Sequence, residues 1–94
     1  MNLQLEEKHL KIIRQILNKY PYQFYAYGSR VKGNAGKFSD LDLCYREEVP
    51  ISTISQIREE FTESNLPFEV ELVNWKYMRP RFRELIKEDL TRFN

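Results

Sequence analysis

A Gly28-Ser29 pair closes an aromatic run and stands ten residues ahead of two aspartates separated by one leucine, Asp40-Leu41-Asp42. This segment constrains the chain more than any other. Tyr22 to Tyr27 reads as a strand, so Gly28-Ser29 marks its abrupt end and the start of a short helix. Helix N-termini attract phosphate. Asp40 and Asp42 open the apolar run Leu41-Leu43-Cys44-Tyr45. Residues two apart in an extended strand project from one face, so both carboxylates point the same way. Two acids held side by side repel unless cations lie between them, and carboxylate with phosphate oxygens is the ligand set that magnesium prefers. All three glycines, Gly28, Gly33 and Gly36, fall within nine residues, which suits a loop that must approach a phosphate closely.

The rest of the chain supplies a small scaffold for that segment. Residues 5 to 20 carry Leu10, Ile13, Leu17 and Tyr20 at helical spacing, with Ile12 and Ile16 widening the stripe, and Pro21 closes the helix. Leu41 to Tyr45 forms the second strand. Thr53 with Gln56 reads as a capping box for a helix whose buried edge is Ile54, Ile57 and Phe61. Asn65-Leu66-Pro67 stops that helix. Phe68 to Val73 alternates apolar and acidic residues as a half-exposed strand does, and Pro80 fits the first turn of a helix containing Phe82, Leu85 and Ile86. The order helix, strand, strand, helix, strand, helix defines an α+β fold, a mixed β-sheet with helices packed on it.

Ninety-four residues suffice for one domain, expected to span 1–94, and leave no room for a separate substrate domain. At 41% hydrophobic and 31% charged the composition is that of a soluble globular chain, with no apolar run near the roughly 20 residues that cross a bilayer. The polar, acidic start does not read as a signal peptide. A single cysteine, Cys44, allows no internal disulfide and suits the reducing cytoplasm, where it is expected as buried filler. The net charge of +1 argues against a general nucleic-acid coat. His9, the sole histidine, cannot build an internal two-histidine zinc site and is expected to be structural.

Gly28-Ser29, ten intervening residues, then Asp40-Leu41-Asp42 resembles the signature of the DNA polymerase beta-like nucleotidyltransferases. The short length and the Gly-Ser-Arg opening are most similar to the minimal nucleotidyltransferases (MNT), the antitoxin halves of HEPN/MNT toxin-antitoxin pairs. The resemblance continues through Phe68 to Trp75 and covers most of the chain. It implies a nucleotidyltransferase fold and transfer of AMP from ATP to a hydroxyl, with a tyrosine of a HEPN-family toxin as acceptor and a hetero-oligomer of the two proteins as the working assembly. Two magnesium ions would be bound by Asp40, Asp42 and a third carboxylate on a neighbouring strand. Glu69 and Glu71 are the candidates, and aligning Val70-Glu71-Leu72-Val73 with the family pattern selects Glu71, where the family usually has aspartate. Glu69 is left at the rim. Gly28, Ser29, Arg30 and Lys32 would face the triphosphate. The Arg-to-His motif of the HEPN ribonuclease half is absent, since no arginine precedes His9. The alternative is an antitoxin that blocks its toxin by contact while its catalysis has faded, a reading that the glutamate at position 71 favours. A small-molecule transferase would need a second domain as a substrate wall.

Overall fold

The computed structural model describes residues 3–94. The elements are α1 (Glu7–Leu17), β1 (Tyr25–Tyr27), α2 (Ser29–Lys32), β2 (Leu41–Tyr45), α3 (Ile51–Glu63), β3 (Val70–Asn74), a 3-10 turn (Trp75–Tyr77), α4 (Pro80–Ile86) and β4 (Thr91–Arg92). They form one four-stranded sheet in the order β3-β2-β1-β4. β2 and β3 are parallel, joined by the α3 crossover, while β1 pairs antiparallel with both β2 and β4. The mixed sheet with its helices is the expected α+β, nucleotidyltransferase-like architecture.

Period-two alternation sorts the strands onto two faces. Phe24, Ala26, Leu41, Leu43, Tyr45 and Leu72 face the main core, where α1 and α3 bury Ile13, Leu17, Ile54 and Ile57 against them. Glu60 on α3 accepts hydrogen bonds from Lys19 and Tyr20, fastening the end of α1 to α3. The opposite face carries Tyr27 and Cys44, packed under Met78, which follows the 3-10 turn, and Ile86 of α4. Cys44 is fully buried there, as expected of a small apolar filler. That covering stops short of the N-terminal ends of β2 and β3, and the acidic residues lie in the uncovered part.

Three local expectations differ from the structure. No Thr53–Gln56 capping box forms: Pro50 caps α3, its carbonyl accepting from Thr53 N–H and Ile54 N–H, so the helix starts three residues earlier. α1 spans only Glu7–Leu17, with Tyr20 in the turn beyond. β1 begins at Tyr25 because the Phe24 amide donates to the Asn94 side chain, while its carbonyl accepts from Phe93 N–H. The chain end thus adds β4, two residues too short to show any alternation in sequence. The helix expected from Pro80 forms as α4 and contains Phe82, Leu85 and Ile86; only Ile86 is buried, Leu85 is 67% exposed and Phe82 lays its ring edge against Tyr27.

Candidate active site

β1 ends at Tyr27 directly opposite Asp42, and Asp42 in turn stands opposite Glu71 on β3. Three neighbouring strands therefore present Tyr27, Asp42 and Glu71 in one row on the same face, running from Tyr27, buried beneath Met78 and Ile86, to the exposed Glu71. One step along, Leu41 pairs with Val70 and its amide donates to the Glu69 carbonyl, which sets Asp40 beside Glu69. Two rows of paired carboxylates result. Asp40, Glu69 and Glu71 each offer an oxygen such that all three lie within 4.8 Å of one another. Asp42 is half-buried beside them, and its carboxyl is held above its ordinary value of 3.8, first by burial and then by Asp40 and Glu71. The sheet thus holds like charges together against their repulsion, which costs stability unless a cation offsets it. Burial, with Asp42, Cys44 and Glu71, also pushes the Tyr27 phenol up to about 12, so this ring adds no charge to the site.

Gly28 carries the chain from β1 into α2 with φ 86° and ψ −155°, a conformation open essentially to glycine alone. Its second constraint is steric. A Cβ at this position would lie 2.6 Å from Asp42 Oδ2, so the backbone passes directly against a carboxylate of the site. Ser29 opens α2 immediately beyond and is half-buried. Because α2 has only four residues, its summed dipole is small, and what the turn offers a phosphate is the Ser29 hydroxyl and nearby backbone amides. Lys32 is exposed at the end of the same turn.

Arg30 occupies a different position from the one expected of a triphosphate ligand. Only 5% exposed, its guanidinium donates to three carbonyls, those of Gln4 (2.7 Å), Lys37 (3.2 Å) and Ser39 (2.7 and 3.0 Å), and lies 4.1 Å from the Phe68 ring centroid. Planar forked donors with a stacking face suit this role. Arg30 fixes the residue before Asp40 and the residue before Glu69, so it positions the acids from behind. Ser39 adds a second tie, accepting from Gly36 N–H through its hydroxyl. Sequence reasoning placed Arg30 on the phosphate side because its partners, Gln4 and Phe68, are remote in the chain.

The donor set consists of carboxylates alone, with His9 set against Phe68 and Cys44 under α4, and such hard oxygens fit magnesium rather than zinc or copper. A strand-end glycine turn thus faces an acidic row carried on adjacent strands. Residues 6–92 match the nucleotidyltransferase domain family, and the chain belongs to it, as a nucleotidyltransferase of the minimal type. It is 39% identical over 90 residues to the "Probable protein adenylyltransferase MntA" of Haemophilus influenzae, covering 92% of this chain and 79% of that protein.

Proposed function

We propose that the protein transfers AMP from ATP to a hydroxyl group of a partner protein. The observation that carries this reading is the close approach of the Gly28 backbone to Asp42, which joins the phosphate-side turn to the acidic row in one site. Asp40, Asp42 and Glu71 would hold two magnesium ions, and Gly28, Ser29 and Lys32 would face the triphosphate. When bound, the metals neutralise charge developing on the transferred group. The acceptor oxygen attacks the α-phosphorus, the bond to the bridging oxygen of the β-phosphate breaks, pyrophosphate leaves on the Ser29 side, and the hydroxyl proton passes to solvent. Such in-line displacement depends on positioning and charge neutralisation more than on covalent help, so a scaffold of this size suffices.

The name of the 39% identical relative supports a protein as acceptor. The acceptor we propose is a tyrosine of a HEPN-family toxin, silenced by the modification, with the two proteins forming a cytoplasmic hetero-oligomer. No helix among the described residues is long and apolar enough to cross a membrane. One feature favours the contact-only antitoxin instead: Glu71 has a longer, more flexible side chain than the aspartate usual at this position. The test is incubation with ATP, magnesium and a co-expressed HEPN-family protein. Label at the α-phosphate and a mass increase of one AMP are expected on the partner. Transfer of γ-label, or of phosphate alone, would overturn the assignment.

A further inference from the structure

The acids of the site are not held in the same way. Asp42 and Glu71 lie inside the ladder that joins β2 to β3, and Asp42 also pairs with Tyr27 on β1. Asp40 stands one residue before β2 begins, at the end of the stretch 33–40, which carries no helix or strand. The sheet fixes the first two acids directly. The place of Asp40 depends instead on how the loop that precedes it is tied down.

Part of that tie comes from the segment ahead of α1. Gln4 N–H donates to the Arg30 carbonyl at 2.8 Å, and its own carbonyl accepts from the Arg30 guanidinium at 2.7 Å. Arg30 in turn donates to the Lys37 and Ser39 carbonyls, the second belonging to the residue before Asp40. The Gln4 side chain then reaches the middle of the loop, where Oε1 accepts from Ala35 N–H at 3.0 Å. Leu3 and Leu5, on either side of Gln4, pack against the main core and anchor the segment. Gln4 itself is exposed, so no packing holds its side chain in place. Ordering a long side chain in water costs rotamer entropy, and the bond to the loop is what offsets that cost here.

We propose that Gln4 is a positioning residue for Asp40: its side chain straps the 33–39 loop to the segment ahead of α1 and so sets the one acid of the site that the sheet does not fix. The proposal rests on the nucleotidyl-transfer reading and adds to it a residue far from the site in sequence. Gln4 touches no reacting group. Its effect passes through the loop backbone, and displacing a ligand by a fraction of an ångström is enough to slow an in-line transfer. Because the bond is exposed, losing it loosens the loop without unfolding the core.

The test compares wild type, Gln4→Leu, which removes the accepting oxygen, and Gln4→Glu, which keeps one. AMP transfer to a HEPN-family protein, thermal melting and amide hydrogen exchange at Ala35 are measured on each. Gln4→Leu should lower kcat about tenfold, less than a full ångström of displacement would cost, with KM for the acceptor unchanged and melting close to wild type. Gln4→Glu should restore kcat. Exchange at Ala35 should quicken about tenfold in Gln4→Leu and stay at the wild-type rate in Gln4→Glu. Wild-type kcat in Gln4→Leu would overturn the proposal, as would an equal loss of kcat in both variants. A large fall in melting temperature for Gln4→Leu would also overturn it, by making the role one of general stability. If the wild type transfers nothing, the nucleotidyl-transfer reading fails, and exchange at Ala35 decides the strap separately, with equal rates in wild type and Gln4→Leu counting against it.

Discussion

Gly28→Ala perturbs two constraints at once, and each has a size. The backbone holds φ 86° and ψ −155° at this position. For a residue with a Cβ that region costs roughly 1–3 kcal/mol. The new methyl would also lie 2.6 Å from Asp42 Oδ2, inside the 3.0 Å that real Cβ contacts essentially never cross, so the carboxylate has to retreat by about 0.4 Å or more. For a domain near this size each kcal/mol lowers the melting temperature by roughly 4–8 °C. Activity should fall more steeply, because displacing a ligand by a fraction of an ångström to an ångström costs up to about a hundredfold. Thermal unfolding and AMP transfer on the same preparation measure both. The double variant Gly28→Ala/Asp42→Ala separates the causes: deleting the carboxylate should recover the steric part of the lost stability but not the backbone part. Wild-type melting and activity in Gly28→Ala would refute the reasoning, and no recovery in the double variant would show that Asp42 is not what the methyl meets.

Arg30→Met leaves the Gln4, Lys37 and Ser39 carbonyls without their donor, at roughly 1–3 kcal/mol per buried group left unpaired, so urea unfolding should shift to markedly lower denaturant. A wild-type midpoint would show that Arg30 does not hold the loop. Glu71→Gln should lower transfer about a hundredfold or more, the scale of one lost electrostatic contact to the transition state, while Glu69→Gln leaves kcat close to wild type; steady-state kinetics decide between them. Asp42 gives a pH signature. Its carboxyl is raised above 3.8, so the native protein holds that proton more tightly than the unfolded chain, and the metal-free fold loses stability as pH rises through the raised value. Metal-free Asp42→Asn should therefore melt higher than wild type at pH 7, with the difference shrinking as pH falls toward 4. A difference independent of pH would contradict the repulsion argument.

How much of this was legible in sequence depended on the range of the interactions involved. The common face of Asp40 and Asp42 is a consequence of strand periodicity and needs no partner strand. Their alignment with β3 is a different matter: parallel register is set by how the α3 crossover packs, and the pairing of Asp42 with Glu71 and of Asp40 with Glu69 becomes visible only in the sheet. Glu69 was accordingly placed at the rim from the family pattern, whereas the structure sets one of its oxygens within 4.8 Å of Asp40 and Glu71 oxygens. Arg30 is the clearest case of a role hidden from local reading. A positive charge two residues after Gly28 reads as a phosphate contact, yet its partners come from the first few residues, the 37–39 loop and Phe68. The Thr53–Gln56 pattern misled for a local reason, because Pro50 already supplied a preset φ of −56° at the helix start. Strand β4 left no signal, since two residues held by Phe24 and Asn94 have no periodicity to detect.

The central claim is that Asp40, Asp42 and Glu71 hold divalent cations for a nucleoside triphosphate. Calorimetric titration of ATP, with and without magnesium, into wild type and Asp42→Asn tests it most directly. The account predicts that magnesium tightens ATP binding to the wild type and makes no difference to Asp42→Asn, which remains folded. Equal ATP affinity of the wild type with and without magnesium, or an undiminished magnesium effect in Asp42→Asn, would contradict it.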